Sequence, residues 1–194
     1  MKTNMKTHHA LCGLLPGLLL LAAGSVQASL IIPSSYSFDI APNNVGPYYP
    51  DSGGELTDGL FGPGIYFNNP TPWAGWRQVN PTITFSFASA VSIGTVSIDF
   101  DRYQFHGIYL PTSVVIGSTT FNLTGTELGD GTRGPLTFNG SWSVTSLAVT
   151  LNHRIEWTFA DEVQFETTPE PTPAALLLGS GAMLLLRRRR AAAR

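Results

Sequence analysis

The stretch Thr82-Ile83-Thr84-Phe85-Ser86-Phe87 alternates polar and apolar side chains without interruption. Successive side chains of a β-strand point to opposite faces of a sheet, so this period of two predicts a strand with one buried face. The same alternation recurs in Val96-Ser97-Ile98-Asp99-Phe100 and in Leu147-Ala148-Val149-Thr150-Leu151. A single buried face needs a second layer, and two sheets packed back to back supply one.

Shorter β-rich runs surround these segments, and no helical period is sustained between the two ends of the chain. Gly, Pro, Asn and Asp dominate residues 34–81, where we expect one early strand followed by long ordered loops. Many short strands with few helices predict an all-β domain, a β-sandwich or barrel, over residues 29–168. The expected strands are Tyr36 to Ile40, Gly94 to Phe100, Ser113 to Ile116, Thr119 to Leu123, Val144 to Leu151 and Arg154 to Phe165.

The N-terminal segment has the organisation of a secretory signal peptide. Lys2 and Lys6 precede an apolar run, residues 10–23, and a small-residue site ends at Ala28. We predict that signal peptidase cleaves after Ala28 and exports the chain. An uncleaved anchor helix is the alternative, but the run is short for a bilayer span.

The C-terminal segment is a second short apolar run. It covers residues 174–186 and is followed by four consecutive arginines, Arg187, Arg188, Arg189 and Arg190. As a helix it would measure about 20 Å at 1.5 Å per residue. A hydrocarbon core is about 30 Å thick, so the run is a poor permanent anchor. The arginines are expected to stay cytoplasmic, which places the domain outside the cytosol.

Together with Pro169-Glu170-Pro171, this tail resembles the PEP-CTERM sorting signal. The resemblance covers about the last 27 residues and includes the motif, the apolar helix and the arginine cluster in order. It implies transient membrane association, removal of residues 169–194 by an exosortase-type membrane protease, and a cell that makes extracellular polysaccharide. A plain tail anchor is the alternative, and its short span argues against it.

Charge excludes one class of partner. Residues 29–168 carry four basic and twelve acidic side chains, a net charge of −8, whereas the whole chain has −2. Nucleic acids need Lys and Arg against their phosphates, so we expect no nucleic-acid partner. Cys12 is the only cysteine. Since it lies within the signal peptide, the mature domain must be stabilised by its core alone.

Five segments occur in a fixed order along the domain: Glu55 to Gly59, Trp73 to Trp76, Ile83 to Phe87, Gly107 to Val114 and Ala160 to Phe165. Their order resembles the galactose-binding-like jelly roll of discoidin-type carbohydrate-binding domains. The resemblance implies a jelly-roll β-sandwich and, as in many members, a structural Ca²⁺, here with ligands at Asp58 and Glu162. Carboxylates and loop carbonyls are the oxygen ligands that Ca²⁺ prefers. Without the ion, Asp58-Gly59 is an ordinary turn.

Aromatic side chains in the loop region are the candidate sugar ligands. We expect Trp73, with Tyr48 and Tyr49, to form a platform for a sugar ring, although such rings also fill small cores. No nucleophile with a base, phosphate loop or zinc spacing is present in the sequence. Asp99 and Asp101 would share one face of a strand and are the only weak signal for a glycosidase.

The sequence thus predicts a non-enzymatic protein of the cell surface or extracellular matrix that binds carbohydrate, in particular exopolysaccharide. The first alternative is a purely structural surface or biofilm protein with the same sandwich and no sugar site. A small glycoside hydrolase is the second alternative. A fold does not establish a function, so the choice depends on the site.

Overall fold

The computed structural model describes residues 28–42, 49, 51, 53–62 and 73–168. The predicted sorting tail and nearly all of the predicted signal peptide lie outside these ranges, as does Tyr48. No helix in the described ranges is long and apolar enough to span a bilayer.

The described residues form eight antiparallel strands and one turn of 3₁₀-helix, Gln104–His106. The all-β prediction is confirmed. The strands are β1 (Leu30–Ile31), β2 (Ser35–Phe38), β3 (Ala74–Arg77), β4 (Thr82–Arg102), β5 (Ser113–Ile116), β6 (Thr119–Asn122), β7 (Thr132–Asn152) and β8 (Trp157–Thr167).

All eight strands belong to one hydrogen-bonded sheet in the order β1-β8-β4-β7-β5-β6. In addition, β2 pairs with the first part of β4, and β3 pairs with the start of β8. The two long strands, β4 and β7, have 21 residues each and pair along nearly their whole length. They form the spine to which the shorter strands attach.

Ring contacts show that this spine is folded over. Phe165 of β8 lies opposite Val96 of β4, whereas its ring centroid is 4.9 Å from that of Phe85, eleven residues earlier on β4. Eleven residues of straight strand would span about 36 Å. The pairing of β4 with β7 breaks between Ser86 and Val91, at the point where the fold must occur.

The partner strand β7 folds in the same way. Phe138 of β7 packs against Phe121 of β6 with 5.2 Å between ring centroids, yet β6 attaches through β5 to the far end of β7 near Leu151. The folded sheet therefore makes two facing layers around one core of buried aliphatic and aromatic side chains. The sequence predicted two separate sheets, whereas the structure has two layers of one continuous sheet. The long strands β4 and β7 run through both layers.

Candidate functional site

The loop that contains Asp58 packs against β8 at Glu162. The amide of Gly59 donates to Glu162 Oε2 at 3.2 Å, and the amide of Val163 donates to the carbonyl of Leu56 at 2.8 Å. The structure thus brings together the two side chains that the resemblance assigns to calcium. They line a cleft of about 140 Å³, together with residues 30–33 of the N-terminal segment.

Glu162 is a buried carboxyl with other acidic side chains around it. Burial, and then the negative charges of Asp58, Asp161 and Asp99, raise its pKa to about 7, while the amide of Gly59 acts in the opposite direction. Within the described ranges no three His, Cys, Asp or Glu side chains are grouped closely enough to hold a metal. A calcium ion here would have two carboxylates and would need backbone carbonyls for its remaining ligands.

Asp51 and Glu55 lie close in sequence to Asp58, and their carboxylates accept hydrogen bonds from groups in and beside the same loop. Asp51 Oδ1 accepts from the Tyr36 hydroxyl and from the Gly53 amide, each at 2.9 Å, and Glu55 Oε2 accepts from the Gly53 amide at 3.1 Å. Burial, and then the hydrogen bond with Glu55, raise the pKa of Asp51. The carboxylates therefore support the loop that presents Asp58.

A second group of acidic side chains is buried around Arg133. Its guanidinium lies 3.3 Å from Asp99 Oδ2 and 3.5 Å from Asp161 Oδ2, and the Gly62 amide also donates to Asp161. Burial raises the pKa of both carboxyls to about 6, although Arg133 acts in the opposite direction. Asp99 and Asp101 are both buried. A glycosidic bond cannot reach them in this structure, which removes the geometric basis of the hydrolase alternative.

Trp73 is not positioned as a sugar platform. Its side chain is 0% exposed and packs with Phe159 in a small second core. Tyr49 is half-buried and its ring packs edge-on against Phe159 at 4.6 Å and against Trp157 at 5.7 Å. Both residues therefore fill a core in this structure, which corrects the expected role of Trp73.

The most exposed aromatic ring in the described part of the chain belongs to Phe105, at the tip of the loop after β4. It is 84% exposed, whereas the neighbouring rings of Tyr103 and His106 pack against each other at 4.7 Å. The 3₁₀ turn ends at Gly107, which has a φ of 74°. The Phe105 ring lies edge-on to the His106 ring at 5.1 Å between centroids and is otherwise largely in solvent, where it contributes little to the core.

Polar and aromatic groups flank this loop. The Trp157 amide donates to the Gly107 carbonyl at 3.0 Å, and the Arg77 guanidinium lies 5.9 Å from the Trp157 ring centroid. Arg77 also pairs with Glu156 at 3.4 Å, with both side chains more than a third exposed. An exposed ring near hydrogen-bond donors and acceptors is an arrangement that suits the apolar and hydroxyl faces of a sugar.

Sequence reasoning missed this loop, although a signal was present. Tyr103-Gln104-Phe105-His106-Gly107 places three aromatic side chains directly after a strand and before a turn glycine. Of these three, Tyr103 packs against the small second core and Phe105 is exposed.

Comparison with known proteins gives distant matches in structure only. No family model and no curated protein matches the sequence. The matching structures include a truncated AlyQ with CBM32 and alginate lyase domains, at 13% identity and a TM-score of 0.49. The match covers 76% of this chain and 35% of that chain. The AlyQ CBM32 in complex with 4,5-unsaturated mannuronic acid has 13% identity and a TM-score of 0.45, with 71% of this chain and 97% of that one covered.

A further match is the family 32 CBM of C. perfringens NanJ in complex with galactose, at 11% identity and a TM-score of 0.45. It covers 72% of this chain and 99% of that one. These scores describe a general likeness and do not place the chain in a family.

Proposed function

We propose that this protein is an exported, non-catalytic carbohydrate-binding protein of galactose-binding-like jelly-roll type, and that it binds exopolysaccharide at the Phe105 loop. The observation that carries the proposal is the 84% exposure of the Phe105 ring, on a loop that is joined to Trp157 by a hydrogen bond from the Trp157 amide to the Gly107 carbonyl. The net charge of −8 on residues 29–168 favours a neutral or basic sugar over an acidic one.

The sugar site is tested by removing the Phe105 ring. Phe105→Ala should lower the affinity of residues 29–168 for the exopolysaccharide of the producing cell about tenfold, since losing such a ring from a small site costs about 1–2 kcal/mol. Leu60→Ala, which truncates an exposed apolar side chain on another loop, is the matched control. Glycan-array and titration measurements that show equal binding by both variants would reject the Phe105 site.

The alternative is a structural surface protein without a sugar site. The single hydrogen-bonded sheet and continuous core are equally suited to that role. The two functions differ in one observable: a structural protein binds no exopolysaccharide fraction and no glycan on an array.

Export and sorting form the second part of the proposal. Signal peptidase removes residues 1–28, and an exosortase-type protease recognises Pro169, Glu170 and Pro171 and removes the tail, which leaves the domain at the cell surface or outside the cell. Replacing the four arginines, Arg187 to Arg190, with Gln should leave an unprocessed chain in the membrane fraction. Arg194→Gln is the control. Equal processing of both variants would contradict recognition of the arginine cluster.

A structural Ca²⁺ at Asp58 and Glu162 is the third part. The ion would offset the burial of the Glu162 carboxylate and the neighbouring negative charges, which together raise its pKa, and a ligand bound only by the folded state raises its stability. Glu162→Gln should therefore abolish the rise in unfolding temperature that Ca²⁺ produces, whereas Asp39→Asn, at an exposed carboxylate elsewhere, should not. An unchanged unfolding temperature of the wild-type domain in Ca²⁺ and in chelator would remove the site.

A further inference from the structure

We propose that the side of the domain around β1 docks on the surface of the lipid bilayer while the chain is tethered to it. The docking surface consists of the exposed side chains of Leu30, Ile32 and Leu60. The inference rests on the proposed function in one respect, because it takes the sorting tail as the tether.

The two ends of the domain meet in space. The Ser29 amide donates to Thr167 Oγ1 at 3.0 Å, and the Thr167 amide donates to the Ser29 carbonyl at 2.9 Å. Next along the strands, Leu30 lies opposite Glu166. The segments that precede Ser29 and follow Thr168 therefore start side by side, beside the docking surface.

The tether is short. The apolar run of the tail begins at Ala174, six residue steps after Thr168. Even fully extended they span about 20 Å. Ile32 is three residues from Ser29, about 10 Å along the strand. The docking surface therefore cannot move far from a membrane that holds the tail.

The surface itself is unusually apolar for a sheet edge. Leu30 is 58% exposed, Ile32 is 74% exposed and Leu60 is 64% exposed. Ile31 points the other way and packs on the core, so strand alternation would place polar side chains at positions 30 and 32 in a freely soluble domain. Leu30 and Ile32 line the same cleft as Gly59, which directly precedes Leu60.

Charge determines which bilayer this surface fits. Asp58 and Glu162 border the cleft, and no Arg or Lys lines it. Residues 29–168 carry a net charge of −8, so an anionic membrane would repel the domain even with a Ca²⁺ ion bound. The partner is therefore a bilayer of zwitterionic lipids, bound through aliphatic contact.

The strength of this contact depends on the tether. Burial of aliphatic side chains favours binding, but three partly inserted side chains hold a free domain only weakly, because association costs translational and rotational freedom. A short tether raises the effective concentration to the millimolar range and makes the same contact intramolecular. The docked state is thus expected before the tail is cut, and removal of the tail releases the domain.

The test uses the full chain reconstituted into phosphatidylcholine vesicles. Cys12→Ala removes the only cysteine, and Ile32→Cys or Leu60→Cys introduces a site for an environment-sensitive fluorophore. Thr120→Cys is the control, because Thr120 is exposed and does not line the cleft beside Leu30 and Ile32. Lipid-attached quenchers should reduce emission at positions 32 and 60 and leave position 120 unchanged. Adding Ile32→Ser to the position-60 protein should weaken the quenching there.

Each other outcome contradicts the proposal in a distinguishable way. If the chain floats with the vesicles but positions 32 and 60 are quenched no more than position 120, docking is wrong and the tether stands. If the chain does not float with the vesicles, both the tether and the docking are wrong. If the labels at 32 and 60 become protected without lipid as protein concentration rises, the surface binds a second copy and the bilayer proposal is overturned.

Discussion

Arg133 compensates the largest group of buried negative charge in the described domain. It contacts Asp99 and Asp161 within 3.5 Å and is itself mostly buried. Arg133→Met should lower the free energy of unfolding by about 3–5 kcal/mol, because breaking a buried ion pair leaves an uncompensated charge. Urea denaturation of residues 29–168 measures the change.

Arg77→Met is the control for that measurement. Arg77 pairs with Glu156, but both side chains are more than a third exposed, and such pairs contribute about 0–1 kcal/mol. Similar losses for the two variants would mean that Arg133 does not hold the buried acids in solution.

The same acids predict an inverted pH dependence of stability. Folding raises the pKa of Asp99 and of Asp161 to about 6 and that of Glu162 to about 7, whereas unfolded carboxyls titrate near about 4. The folded state therefore binds more protons than the unfolded state between these values, and stability falls as pH rises through them. In chelator, the unfolding temperature should be higher at pH 5 than at pH 8. Asp99→Asn should reduce the difference, and a higher value at pH 8 would contradict the assignment.

Single residues were predicted unevenly from the sequence. Asp58 and Glu162 were chosen from a resemblance, and the structure places them together through the Gly59 amide. Trp73 was expected at the surface and is buried. The sequence does not show whether a tryptophan is buried or exposed, because its burial depends on which strands cover the ring. Phe105 was missed for the same reason.

The pairing of β3 with β8 depends on the absence of a side chain at Gly75. A Cβ atom there would lie 2.5 Å from Phe159 Cε1, in the small core shared with Trp73. Gly75→Ala should therefore lower the free energy of unfolding by about 1–3 kcal/mol through overpacking. Gly54→Ala is the control, since nothing lies within 4 Å of its Cβ position. Equal stabilities of the two variants, measured by chemical denaturation, would contradict the packing of β3.

Strands with strictly alternating side chains were predictable from the sequence, but the bend that folds β4 over between Ser86 and Val91 was not. The segments Thr82 to Phe87 and Gly94 to Phe100 were predicted as two strands and are parts of β4. Between them, Ala88-Ser89-Ala90 is small and exposed, which lets the strand fold where its pairing breaks. β1 and β3 were not predicted, because runs of two and four residues carry no period and form only through their pairing with β8.

At the scale of the molecule, the paired ends of the domain lie far from the Phe105 loop. The two ends of the domain, Ser29 and Thr167, pair beside Ile93 of β4, and the Phe105 loop follows Arg102 at the other end of the same strand segment. Nine residues of strand separate these positions by about 30 Å. A domain tethered at its paired ends would therefore hold its sugar-binding loop away from the point of attachment, where an extracellular polysaccharide is accessible.

The most direct test of carbohydrate binding is a nuclear magnetic resonance titration of isotopically labelled residues 29–168 with oligosaccharides from the exopolysaccharide. The account predicts saturable chemical-shift changes centred on Phe105, His106 and Trp157, with the cleft at Asp58 and Glu162 unaffected. Changes centred elsewhere, or none at saturating sugar, would contradict it.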